Sequence, residues 1–593
     1  MTAIRTVIVA TALALALGAC SREEESAAGA DNALLDYVPA DTPYLAANLE
    51  PVPEDVVDAY LQRLQPVLDE MQVQLSAARA ELEAELEGNT QAADDPEERL
   101  ALALLRELDG NLSRAGLDSL GLDVRSHKVA YGLGAFPVFR MGLSDSVALR
   151  ATIERVLASA GIAAPQRDFQ GVAYWRAGPD TDDEAPVGLY LAILEDHLAI
   201  GVLPVTLESE VLPQFLGLQL DPGRPAGSDA RSRLAELNRA QGYTPHGSVI
   251  LDLRLLADQF LQADSLTARV LAASGAYDPA SITPECVAEV HGIIGNVPRI
   301  TGGTTELSTT AIAYQYRFET PATLAGQLAG LAARVPAADA VSTRVLDLAF
   351  GMRFGALRDF LREKADAIVQ NPYRCEHLQS LNASAEKTLQ QLDQPMPPFV
   401  NNFQGLRVSL DEITADPDGL PAGARGHLAL HVQQPEMFLG MAQMFLPDLS
   451  ALGLKAGAPP ARLPESLLPI PGLVAFAAMS SDAIGLSLGE GEEDGLQAYM
   501  DRKAGPEGMF LSVSYDSAAY LEYTDRLADR FGGAMEETGD YGEDVAGHRR
   551  SDGALAIGSA AREAFQDMAD RSLTTFSFGP DGLVIDGRMT FKP

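Results

Sequence analysis

The distribution of apolar residues predicts an α+β protein: two tandem, related units of antiparallel sheet with helices packed on one face. Three observations carry that expectation. Short segments alternate apolar and polar residues with period two, as half-buried strands do. Segments with apolar residues three and four apart follow several of them, behind residues that cap helices. The order of these segments in the first half of the chain then recurs in the second.

In chain order, Tyr44 to Glu50 reads as a short strand stopped by Pro51 and Pro53. A helix is expected from Glu54, with Val56, Val57, Tyr60, Leu61, Leu64, Val67 and Leu68 on one face and a kink at Pro66. A polar break over Gly88 to Asp95 precedes a second helix at Glu97 to Leu108. Strands at Lys128 to Gly132 and Pro137 to Leu143 lead to Ser144-Asp145 as an N-cap and to a helix over Val147 to Ala160. Phe169 to Trp175 is a further strand, and Val187 to Val202 is a hairpin turning at Glu195-Asp196. Gly247 to Leu253 is a strand feeding a helix at Leu255 to Gln262.

The second half repeats this grammar. Strand Ala311 to Phe318 leads through Pro321 into a helix, and two or more helices are expected between Val345 and Leu392. Strands Gly405 to Ile413 and Gly426 to Val432 precede Pro435 and a helix to about Phe445. Val474 to Leu488 is a hairpin turning at Ser480-Ser481-Asp482, and Phe510 to Tyr515 is the next strand. Leu198-Ala199-Ile200-Gly201, Ala483-Ile484-Gly485 and Ala556-Ile557-Gly558 are local echoes. Each half closes with a hairpin, Arg299 to Thr305 with Thr309 to Phe318, and Leu573 to Phe578 with Leu583 to Phe591 around the turn Gly579-Pro580-Asp581-Gly582. The expected division is residues 36–310 and 311–593.

With 83 acidic against 44 basic side chains, the formal net charge of the 593-residue chain is −39. Such a body is repelled by nucleic acid and by anionic headgroups, so no nucleic-acid partner is expected.

The amino-terminal stretch gives an address. Arg5 precedes Val7 to Leu17, an apolar run too short for the roughly 20 residues a membrane span needs. It ends in Leu17-Gly18-Ala19-Cys20, followed by the polar run Ser21-Arg22-Glu23-Glu24-Glu25. These residues resemble the lipobox of bacterial lipoproteins. The resemblance implies a signal peptide over 1–19, lipid on Cys20, and a tether over 20–35. Ser21 implies sorting to the periplasmic face of the cell outer membrane, so the membrane is the expected partner, through lipidated Cys20. Cys286 and Cys375 then remain as one pair in an oxidising compartment, where a disulfide stapling one unit to the other is expected, two reduced buried thiols being the alternative.

Motifs that carry chemistry are sparse. His427 and His431 are the only close histidines, and on a strand four residues span roughly 13 Å, too far for one metal ion. Ser384-Ala385-Glu386-Lys387 has the spacing of penicillin-recognising enzymes, yet the S-D-N and K-T-G partners are missing. Asp180 to Glu184 and Glu490 to Asp494 are acidic runs without the alternating ligands of a calcium loop. Tyr174-Trp175 could line a pocket at a strand end. No catalytic residue, cofactor site or metal site is expected.

Pro39-Ala40-Asp41-Thr42-Pro43-Tyr44 resembles the opening of an uncharacterised class of bacterial envelope proteins with repeated strand-then-helix units, a resemblance that implies no activity. The expectation is a non-enzymatic binding or assembly module of the cell envelope, with a possible envelope protein as partner. A carrier of lipid or another apolar ligand between sheet and helix is the alternative, by analogy of fold. A hydrolase with an unfamiliar site is the third reading.

Overall fold

The computed structural model describes residues 32–88, 96–161, 166–177, 187–219, 229–275, 278, 281–337, 340–415, 421–468, 472–520, 565 and 567–592. Cys20, the run Asp180 to Glu184 and the echo Ala556 to Gly558 lie outside the described residues. The chain divides into two units. The first takes residues up to Thr283 and Pro298–Tyr314, and the second takes Pro284–Val297 and most of the chain from Gln315 onward.

The first unit is an antiparallel sheet of β1 (Tyr44–Ala47), β2 (Lys128–Leu133), β3 (Phe136–Gly142), β5 (Val172–Ala177), β6 (Val187–Leu194), β7 (His197–Pro204), β8 (Ser248–Asp252) and β9 (Arg299–Leu307), with the short β4 (Arg167–Phe169) against β5. Its order is β5-β6-β7-β3-β2-β1-β8-β9. Its helices include α1 (Glu54–Gly88), α2 (Pro96–Leu108), α3 (Ser146–Ala160), α4 (Glu208–Phe215) and α5 (Ala230–Gln241). α1 continues through Pro66. α3 starts where the sequence reads a cap: the Asp145 carboxylate accepts from the Val147 and Ala148 amides, and Gly161 ends the helix in the left-handed conformation.

The main core of this unit lies on one face of the sheet. Leu45, Val129, Tyr131, Val138, Tyr190 and Leu203 meet Val211, Leu212 and Phe215 of α4 and Leu234 and Leu237 of α5, all buried. One helix lies on the other face: Leu149, Ile153 and Leu157 of α3 pack against Leu191, Ile193, Leu198 and Ile200. α2 stacks on α3 through Ala103, Val156 and Ala160.

The last strand of the first set, β10 (Ala311–Glu319), follows β9 as its hairpin partner, and the unit division falls inside it between Tyr314 and Gln315. The second unit contains β11 (Leu346–Gly351), β12 (Phe403–Ala415), β13 (Pro421–Val432), β14 (Ala461–Arg462), β15 (Ala475–Met479), β16 (Ala483–Leu488), β17 (Met509–Asp516), β18 (Ala569–Gly579) and β19 (Gly582–Phe591). The order is β14-β15-β16-β13-β12-β11-β17-β18-β19, again antiparallel. Its helices include α6 (Pro284–Ile294), α7 (Phe354–Gln370), α8 (Gln379–Leu392), α9 (Pro435–Phe445) and α10 (Glu493–Met500).

The duplication is visible in this topology. β6-β7-β3-β2-β1-β8-β9 in the first unit corresponds, strand by strand and in the same chain order, to β15-β16-β13-β12-β11-β17-β18 in the second. The strand equivalent to β1 is β11, inside a stretch the sequence assigns to helices. Leu346, Leu348 and Phe350 alternate with Asp347 and Ala349, a period of two that the neighbouring helical pattern obscures.

Cys286 and Cys375 form a disulfide across 89 residues. The bond does not staple one unit to the other as expected, because α6, which carries Cys286, is counted with the second unit. The reason is local: the Glu289 carboxylate on α6 accepts from the backbone amides of Arg374, at 2.9 Å, and of Cys375, also at 2.9 Å. Those two amides hold its carboxyl below the ordinary glutamate range.

Candidate functional site

The two units share a strand order but distribute bulk oppositely between the faces of the sheet. Residues directly opposite on neighbouring strands share a face, so the registers define rows. In the first unit one row runs Ile250, Leu45, Tyr131, Val138, Gly201. The equivalent row of the second runs Ser512, Ala349, Arg407, Ala429, Gly485. The alignment is anchored by the glycines, each of which lets the helix after the hairpin lie close. A Cβ on Gly201 would sit 3.1 Å from the Phe215 ring of α4, and one on Gly485 2.5 Å from Met500 Sδ of α10. The next row of the second unit is Ser514, Asp347, Ser409, His427, Ser487. Both of its rows are buried, although they consist of small or polar residues.

The opposite face of the second sheet carries the bulk. One row is Leu511, Phe350, Leu406, Leu430, Ile484, and another is Val513, Leu348, Val408, Leu428, Leu486. Every one of these ten side chains remains partly exposed. The corresponding row in the first unit is Val249, Ala46, Ala130, Phe139, Ile200, with alanine at two of the five places. At one end of the apolar face Phe350, Phe403 and Phe354 of α7 cluster, Phe354 and Phe403 with ring centres 5.3 Å apart. Beyond them the helical pair α7 and α8 buries only Ala365 and Ala385, and Leu361, Val369 and Leu381 stand exposed. Apolar surface on both sheet and helices therefore stays accessible to solvent.

The buried face of the sheet holds an arginine in each unit, and the two are treated differently. Arg140, fully buried, donates through Nε to Tyr131 Oη at 3.1 Å, through Nη1 to His197 Nε2 at 2.9 Å and through Nη2 to the Phe215 carbonyl at 2.5 Å. Its guanidinium also lies 4.1 Å from the centre of the Tyr37 ring. Because the arginine can only donate, His197 Nε2 accepts, and the imidazole is neutral with its Nδ1 facing Asp196 at 3.3 Å. Burial first, then the Arg140 charge, pushes the His197 pKa down to about 4 against the opposing pull of Asp196.

That depression has a measurable sign. Between about pH 6.5 and pH 4 the unfolded chain takes up a proton that the folded His197 refuses, so stability falls as pH falls through that window. The first unit is expected to lose up to about 3 kcal/mol there, followed by the fluorescence of the single tryptophan, Trp175. His197→Gln, which keeps an acceptor for Arg140 without titrating, should flatten the profile; an unchanged slope would contradict the assignment.

Arg407, also fully buried, donates through Nη2 to Asp347 Oδ2 at 3.4 Å and lies 4.5 Å from the centre of the Tyr499 ring. Tyr499 in turn donates to Ser409 Oγ at 3.1 Å, and burial pushes its hydroxyl up to about 12. His427 stacks on Tyr499 and bonds the Glu492 carbonyl at 2.9 Å, which requires its Nε2 to carry the proton. Among the described residues, Arg407 Nε and Nη1, Asp347 Oδ1, His427 Nδ1, His431 Nε2 and Ser487 Oγ have no hydrogen-bond partner in the chain. Orphaned buried groups cost about 1–3 kcal/mol each, so this face weakens the second unit rather than holding it together.

The residues singled out in the sequence fall as follows. His427 and His431 lie on the buried face, either side of Ala429. Ser384 donates back to the Ser380 carbonyl of its own helix at 2.9 Å, so its hydroxyl is engaged in α8. Tyr174 is core and donates to Glu208 at 2.7 Å, while Trp175 packs with Leu149 on the other face. Of the run Glu490 to Asp494, Glu492 pairs with Arg425 at 2.7 Å, and Glu490 borders a cleft of about 280 Å³ shared with Glu412 and Arg425. Arg140 and Arg407 escape a sequence reading because an arginine on a strand ordinarily faces water. The available signal is parity, since Arg140 sits in phase with Val138.

No helix among the described residues is long and apolar enough to cross a membrane. No family model, no curated protein and no solved structure matches the chain.

Proposed function

We propose that this chain is a lipoprotein of the bacterial envelope, held at the periplasmic face of the outer membrane through Cys20, whose second unit is a non-enzymatic module for an apolar ligand. Leu17-Gly18-Ala19-Cys20 supports the address, and the Cys286–Cys375 disulfide suits an oxidising compartment. One observation carries the ligand class: the large side chains of the second sheet lie on its partly exposed face, while the equivalent bulk of the first unit fills a closed core.

Rows of leucine, valine and phenylalanine five strands wide offer a long contact for hydrocarbon and few hydrogen bonds to anything else. At about 25 cal/mol per Å² of apolar area removed from water, covering several such side chains suffices for tight binding of an acyl chain or similar molecule. The general expectation of a binding module thus narrows to an apolar cargo, and nothing in the reading requires chemistry on it. Native mass spectrometry of protein purified from the envelope without detergent should show the chain carrying added mass that organic extraction removes. A bare chain mass in every preparation would overturn the reading.

A further inference from the structure

We propose that the end of α9 is a membrane-contacting tip that seats the second unit on an uncharged lipid bilayer, beside the apolar face. The inference rests on the reading of that face as a ligand site and adds the surface from which the ligand is drawn.

Met444, Phe445 and Leu446 are 72 %, 82 % and 49 % exposed, three consecutive large apolar side chains turned to water. The other large apolar residues exposed among the described ones are mostly scattered singly, so this run stands apart. It continues along the helix: Met437, 37 % exposed, precedes Met444 by seven residues, two turns on the same side. Met437 Sδ lies 3.7 Å from Asn402 Nδ2, one residue along the chain from the Phe403 of the aromatic cluster. The stripe therefore starts beside Asn402, next in sequence to Phe403, and runs out to an apolar tip.

Charge selects a bilayer as occupant. From Pro435 to Ala456 the chain carries only Glu436, Asp448 and Lys455, in a protein whose net charge is −39. A nearly neutral apolar tip on a strongly acidic body is suited to zwitterionic headgroups and unsuited to anionic ones, where the body is repelled. Methionine, phenylalanine and leucine side chains can enter the headgroup and acyl boundary with no polar side-chain atom to desolvate, while the backbone carbonyls of the helix end stay at headgroup level.

The test uses the mature chain, residues 20–593 with Cys20→Ser, so that neither the apolar signal peptide nor an attached lipid contributes, and phosphatidylcholine vesicles in a flotation assay. The chain should float with the vesicles, and adding an anionic phospholipid should weaken flotation at low salt. Met444→Asp with Phe445→Asp should reduce binding by roughly tenfold or more. Both positions face water, so the far-UV circular dichroism spectrum should not change. The variant should still gain mass by native mass spectrometry when mixed directly with a long-chain fatty acid, which separates failure of the tip from failure of the apolar face. Absence of flotation by the parent chain, equal flotation by the variant, or concentration-dependent dimerisation abolished by the same substitutions would each overturn the proposal.

Discussion

Replacing Cys286 and Cys375 together by alanine is expected to lower the stability of the second unit by about 4–5 kcal/mol, the chain-entropy value for a loop of this length. The loss should be felt fully because little else in that unit compensates. Its buried apolar cluster around α10 comprises Ala429, Ala478, Ala483, Leu496, Tyr499 and Met500, three of them alanines, whereas the first unit joins two dozen buried residues in one core. The crosslink also fixes the turn before α8, where the Arg374 and Cys375 amides bind Glu289. Urea unfolding would show the effect in circular dichroism, with the Trp175 fluorescence transition of the first unit left in place. Coincident CD transitions for the parent and the double alanine variant would show that the bond contributes nothing.

Much of the fold can be read from the sequence because local signals and tertiary structure agree. Asp145 caps α3, Glu195 and Asp196 turn the β6–β7 hairpin, and Gly579 and Gly582 close β18 on β19. The duplicated order is legible for the same reason: it lies in the succession of elements. What escapes is anything that depends on which side of a sheet another element lands. The alternation in β11, β12 and β13 announces two unlike faces, and its ordinary meaning is large side chains inward and small ones outward. In the second unit the large set stays partly exposed and the small set is buried, an assignment that no local pattern contains. The placement of the disulfide is obscure for a related reason. α6 precedes β9 in sequence and is counted with the other unit.

Arg407 supplies the second large effect. Arg407→Met is expected to cost about 3–5 kcal/mol in the second unit, because it leaves the Asp347 carboxylate buried without its cation. Asp347→Val should cost a similar amount, stranding a guanidinium that is 1 % exposed and already lacks partners for Nε and Nη1. The double variant Arg407→Met with Asp347→Val should return to within about 1 kcal/mol of the parent or exceed it, since removing both charges removes the desolvation penalty of each. The geometry favours that outcome. The single ion-pair contact is 3.4 Å, long for a charge-assisted bond, and both partners are closed off from water. Arg140 is the internal contrast, for its three donors all reach neutral acceptors and no carboxylate would be stranded by its loss. Chemical denaturation of the four members of the cycle would decide the matter. Costs that simply add, leaving the double variant about 6–10 kcal/mol below the parent, would mean that Arg407 and Asp347 stabilise the sheet independently and that the polar face is not the weak point of the second unit.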